Sequence, residues 1–166
     1  VRWDLRSSTR TNMLSAGTDR QGNEGNGMKY GFIGCGNMGG ALARAAAKAV
    51  PANEILVSDR DGAKTAAFSA ETGAFAGSTV QVAQECDYIF LGVKPQMLAD
   101  MFSEIRPVLE KRSGRFVLVS MAAGVKISRI KELAGADYPV IRIMPNIPAA
   151  VGEGMILYCT DGVTAD

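Results

Sequence analysis

The sequence has no histidine, only three cysteines and a single tryptophan, and neither sign of charge is in excess. Without imidazole there is no Ser-His-Asp triad, no Cys-His pair and no His-bearing zinc site. Cys35, Cys86 and Cys159 lie too far apart for a CxxC pair or an evident disulfide framework, so no metal site is expected. Separated thiols of this kind suit a reducing cytoplasm. Eighteen Lys and Arg against 17 Asp and Glu give a net charge of +1, which offers no basic field for nucleic acid. No apolar run reaches the roughly 18 residues of a membrane span.

The 166 residues divide unevenly. Residues 1–27 are rich in Ser, Thr, Asn, Gly and Arg, with too few apolar side chains to offset chain entropy. They read as a disordered tail or added leader, with Met28 as the natural first residue. There is no apolar core of a secretory signal, and Asp4, Asp19 and Glu24 argue against a mitochondrial presequence. The tail's four Arg and three acids leave 14 residues of each sign in 28–166, so that part is neutral.

From Met28 onward, unbroken apolar runs alternate with helical stretches. Strands are expected at 29–33, 55–58, 74–75, 88–93, 115–120, 140–144 and 154–159. Helices are expected at 38–50, 62–71, 79–85, 96–111 and 127–134. Strands that are apolar throughout are covered on both faces. The pattern predicts an α/β domain with a doubly wound, mostly parallel sheet of the Rossmann type.

Gly34, Cys35, Gly36, Asn37, Met38 and Gly39 spell G-x-G-x-x-G between the first strand and the first helix. Gly34 permits the tight turn, Gly36 lets a diphosphate approach the backbone, and Gly39 lets the helix pack close. The helix N-terminus offers free N–H groups to the diphosphate. About 20 residues on, Ser58, Asp59 and Arg60 end the second strand. Asp59 could bind the ribose hydroxyls of NAD or cap the next helix. Ser58 and Arg60 could hold a 2′-phosphate instead, and this charge argument favours NADP over NAD. Three further strand ends carry distinctive residues: Val93, Lys94 and Pro95; Ala122, Ala123 and Gly124; and Pro145, Asn146 and Pro148. Small residues at 122–124 leave room for a flat ring, and Asn146 offers both donor and acceptor.

Four segments together resemble pyrroline-5-carboxylate reductase, the enzyme family of the last step of proline biosynthesis. They are MKYGFIGCGNMG at 28–39, VKPQ at 93–96, AAGV at 122–125 and MPNIPA at 144–149. Hydroxyisobutyrate-type dehydrogenases share the glycine-rich loop but not the last segment. The resemblance implies NADPH or NADH as hydride donor and a cyclic imine as substrate. It implies Ser58 and Arg60 at the adenosine phosphate, Val93 and Lys94 at the cofactor's ribose, and Ala122 and Ala123 at the nicotinamide. In the segment before the fourth strand, where the family often has Asn near the adenine, this chain reads Gly77, Ser78 and Thr79, and Thr79 can still hydrogen-bond. The family's second half is helical, forms a homo-oligomer and supplies much of the substrate pocket. On that basis the chain is expected to be the cofactor domain alone, with the helical domain absent and little activity by itself. No catalytic residue is assigned. Two other readings stay open: a dinucleotide sensor without catalysis, and a reductase of another imine or a hydroxyacid.

Overall fold

The computed structural model describes residues 27–145 and 156–163. All but the last residue of the predicted tail, and the Asn146 and Pro148 segment, lie outside them. Seven strands form one sheet: β1 (Tyr30–Ile33), β2 (Ile55–Ser58), β3 (Phe75–Ala76), β4 (Tyr88–Leu91), β5 (Val117–Ser120), β6 (Val140–Pro145) and β7 (Ile156–Asp161). Their order is β3-β2-β1-β4-β5-β6-β7. All neighbours run parallel except β6 and β7, which are antiparallel. The predicted doubly wound, mostly parallel sheet is the observed one.

Five helices connect the strands: α1 (Asn37–Ala47), α2 (Gly62–Thr72), α3 (Thr79–Glu85), α4 (Leu98–Leu109) and α5 (Ile127–Ala134). One sheet face packs Ile89, Leu91 and Leu118 against Val82, Phe102, Ile105 and Ile130 of α3, α4 and α5. The other packs Phe32, Ile55 and Val57 against Leu42 and Phe68 of α1 and α2. Both faces are therefore buried, as the continuous apolar strands require. Gly31 lets α3 close on β1, because a Cβ there would meet Val82 and come 2.7 Å from Cys86 Sγ. Arg112 ties α3 down from outside, donating to the carbonyls of Ala83 at 2.9 Å and Cys86 at 2.6 Å.

Element ends differ from the predicted ones for local reasons. The first helix stops at Ala47 instead of residue 50, and Lys48 and Ala49 continue only as a turn. Pro51 drives the residue before it out of the helical region. The helix expected from residue 96 opens as a tight 3-10 turn at Pro95–Met97 before α4 begins. The strand expected over 88–93 pairs only to Leu91, where Gly92 turns into the crevice. The last strand runs to Asp161 rather than residue 159.

The chain leaves β1 through α1 to one face and leaves β4 through α4 to the other. A crevice opens above the carboxyl ends of these adjacent strands, where doubly wound sheets bind ligands.

Candidate functional site

The glycine-rich turn is built by backbone packing. Gly34 has φ +98°, a left-handed conformation that side chains rarely adopt. A Cβ on Gly34 would lie 2.7 Å from the carbonyl carbon of Gly92. A Cβ on Gly39 would strike the Gly34 carbonyl oxygen, and one on Gly92 would lie 2.6 Å from that same oxygen. Three glycines thus bring the ends of β1 and β4 and the start of α1 into direct contact. Gly36 is different: a Cβ there would meet nothing within 4 Å. The space above Gly36 is open toward the crevice, where a ligand rather than the protein would occupy it.

Helix α1 begins at this opening. Gly36 is its N-cap, no side chain caps it, and no acid stands in its first turn. The first helical bond runs from the Gly40 N–H to the Gly36 carbonyl at 2.8 Å. The N–H groups of Asn37, Met38 and Gly39 are left for an anion at the positive end of the helix dipole.

The end of β2 braces the turn. The Gly34 N–H donates to the Ser58 carbonyl at 2.7 Å, and the Cys35 N–H donates to Asp59 Oδ2 at 2.7 Å. Asp59 Oδ1 accepts the Asp61 N–H at 2.9 Å, so backbone donors engage both carboxylate oxygens. Capping of α2 falls to Asp61, which accepts the Ala63 N–H at 3.1 Å. The alternative of Asp59 as helix cap is therefore replaced by its neighbour. The Cys35 thiol faces the Ser58 carbonyl at 3.7 Å. Burial, and secondarily the Asp59 carboxylate, push its pKa up to about 11. It is a neutral thiol, not a nucleophile.

The crevice holds a cleft of about 290 Å³. Gly34, Gly36, Asp59, Arg60, Val93 and Lys94 line it, all six of them expected from the sequence. Ser58 is buried beneath and hydrogen-bonds Thr79 through the two hydroxyls at 3.0 Å, and Thr79 lines the cleft. Cys35, Asn37, Met38 and Gly39 continue the turn at its edge, and Pro95 opens the 3-10 turn after Lys94. Ala122, Ala123 and Gly124 stand beyond the cleft at the carboxyl end of β5, with Gly124 at φ +74°. Ser120 Oγ, buried at that strand end, accepts the Ala122 N–H at 3.4 Å. Asn146 falls outside the described residues.

The sequence reading missed one wall of the cleft. Lys64 of α2 adds a second cation beside Arg60, and Met97, Met101 and Glu104 line the side facing them. The spacing 97, 101, 104 is one helical face, but only the sheet order brings that face to the crevice.

Residues 29–124 match the family described as NADP oxidoreductase coenzyme F420-dependent. The chain belongs to this family. It is also 42% identical over 131 residues to the pyrroline-5-carboxylate reductase of Escherichia coli (strain K12), covering 76% of this chain and 47% of that one. The fold is similar to a pyrroline-5-carboxylate reductase of Coxiella burnetii, with a TM-score of 0.78 and 26% identity over 84% of this chain and 52% of the other. It is similar as well to the Plasmodium falciparum pyrroline carboxylate reductase with NADP bound, with a TM-score of 0.69 and 29% identity at the same coverage. The chain spans about half the length of these relatives. Among the described residues no group of His, Cys, Asp and Glu could hold a metal, and no helix is long and apolar enough to cross a membrane.

Proposed function

We propose that residues 28–166 are the dinucleotide-binding part of a pyrroline-5-carboxylate reductase, which reduces the cyclic imine to proline with NADPH. The observation that carries this reading is the open backbone at Gly36 beside an uncapped helix N-terminus. A cradle of this form fits a diphosphate, and the similarity to reductases of this imine supports the substrate. The NADP-bound relative favours NADP over NAD here.

A dinucleotide in the cleft supplies a hydride for the imine carbon. The chain's own part is to bind and orient. Asn37, Met38 and Gly39 hold the diphosphate through N–H groups, with Cys35 fixed beneath by Asp59. Arg60, with Ser58 and Thr79 below it, meets the adenosine phosphate, and Lys64 adds charge on the same side. Val93 and Lys94 form the wall at the ribose, and Pro95 follows them in the 3-10 turn. Ala122, Ala123 and Gly124 border the nicotinamide. The imine nitrogen carries a proton from solution, so reduction needs no imidazole and rests on positioning and exclusion of water. We assign the protein to the cytoplasm, where its free cysteines remain reduced, and the whole enzyme to a homo-oligomer.

Titration of this chain with NADPH by nicotinamide fluorescence tests the reading, followed by an oxidation assay with pyrroline-5-carboxylate. Saturable binding with little turnover is expected. Failure to bind NADPH overturns the assignment of the cleft. Brisk turnover overturns the view that residues 28–166 supply only the cofactor side.

A further inference from the structure

Arg60 and Asp100 meet across the mouth of the cleft, with Arg60 Nη2 3.8 Å from Asp100 Oδ2. Arg60 follows β2 and lines one wall with Lys64. Asp100 stands in the first turn of α4, the helix whose Met101 and Glu104 line the facing wall. Lys64 has its own counter-charge, Asp61 at 3.9 Å, on the same turn of the same helix. The Arg60 pair is different because it joins elements from opposite sides of the crevice.

The pair is not a stability device. Both side chains are largely exposed, at 67% and 74%, and such pairs contribute little to folding. Its effect on an arriving anion comes from its position over the cleft mouth. A phosphate dianion must displace Asp100 from the guanidinium and then remain near the carboxylate it displaced. Ribose hydroxyls, being neutral, meet neither cost.

We propose that Asp100 is a specificity-determining residue: it competes with the 2′-phosphate of NADP for Arg60 and so limits the preference of this cleft for NADP over NAD. This rests on the reading of the cleft as a dinucleotide site. The competing role for Asp100 is to complement the dipole at the N-terminus of α4, which concerns stability alone.

The test titrates the chain, Asp100→Asn, Arg60→Ala and the double variant with NADP and with NAD, and records melting temperatures alongside. Asp100→Ser serves as a second variant that keeps a polar group at the helix start. The expected result is an NADP Kd lowered by about two- to fivefold, the span of exposed ion pairs, with the NAD Kd unchanged. In the Arg60→Ala background that gain disappears. The role of Asp100 is overturned by an unchanged or raised NADP Kd, by equal gains for both cofactors, or by a gain that survives loss of Arg60. A fall in melting temperature with an unchanged cofactor ratio assigns Asp100 to the helix dipole and overturns it too. If the unaltered chain binds neither dinucleotide, the reading of the cleft itself fails, and Asp100 with it.

Discussion

The carboxylate of Asp59 accepts the backbone N–H of Cys35 at 2.7 Å, locking the end of β2 to the glycine-rich turn after β1. The same carboxylate accepts the Asp61 N–H, so one side chain shapes both the turn and the entry to α2. Asp59→Ala leaves two N–H groups without their charged acceptor and is expected to cost about 2 kcal/mol of stability. NADPH binding weakens with it, because Cys35 precedes the open Gly36. Asp59→Asn keeps a neutral acceptor and falls between the two. Thermal melts and fluorescence titrations on the three proteins check the order.

Gly36 and Gly92 are expected to respond in opposite ways. Gly36→Asp has room for its side chain and puts a negative charge where the diphosphate would lie. It therefore keeps its melting temperature and loses dinucleotide binding. Gly92→Ala forces a Cβ to 2.6 Å from the Gly34 carbonyl oxygen, so the backbone must shift. Its melting temperature falls first, and binding fails as a consequence.

Arg60→Ala removes the guanidinium proposed above to meet the adenosine phosphate. Affinity for NADP is expected to drop by about tenfold, the value of one charge-assisted hydrogen bond, while that for NAD changes little. Parallel calorimetric titrations give the ratio. Equal losses would show instead that Arg60 stacks on the adenine.

The half-buried Cys35 thiol and the buried Cys86 thiol set an alkaline limit on stability. Burial raises Cys35 from its ordinary 9.0 to about 11 and Cys86 to about 12. Above pH 9 the unfolded chain releases these protons while the folded chain keeps them. Stability from this source is complete below pH 9 and is lost progressively as pH rises toward about 11 and 12. Denaturant midpoints at pH 8, 9 and 10 should fall in that order by more than in Cys35→Ser or Cys86→Ala, each compared with its own midpoint at pH 8. Exposed Cys159 should be alkylated well before either.

The turn and the sheet were legible in the sequence because backbone crowding leaves only glycine and full burial leaves only apolar strands. Gly34 and Gly39 declare themselves by spacing alone. Gly92 carries the same constraint, but a single glycine after an apolar run has no spacing to mark it. Asp59 was visible as an acid at the end of a strand, whereas its partner depended on which N–H group the fold brought near. The wall of Met97, Met101 and Glu104 and the meeting of Arg60 with Asp100 arise from sheet order. That order sets β2 and β4 on either side of β1, and short-range patterning carries no trace of it. Strand ends were the least exact, since pairing at Leu91 and Val117 depends on a neighbour's length rather than on apolar character.

Asp59 turns inward to the loop while Arg60, the next residue, stands out over the cleft mouth. Adjacent positions of one chain thus divide foundation from choice. If Arg60 meets the nucleotide as proposed, residue 60 can be exchanged without disturbing Asp59, which keeps the turn in shape.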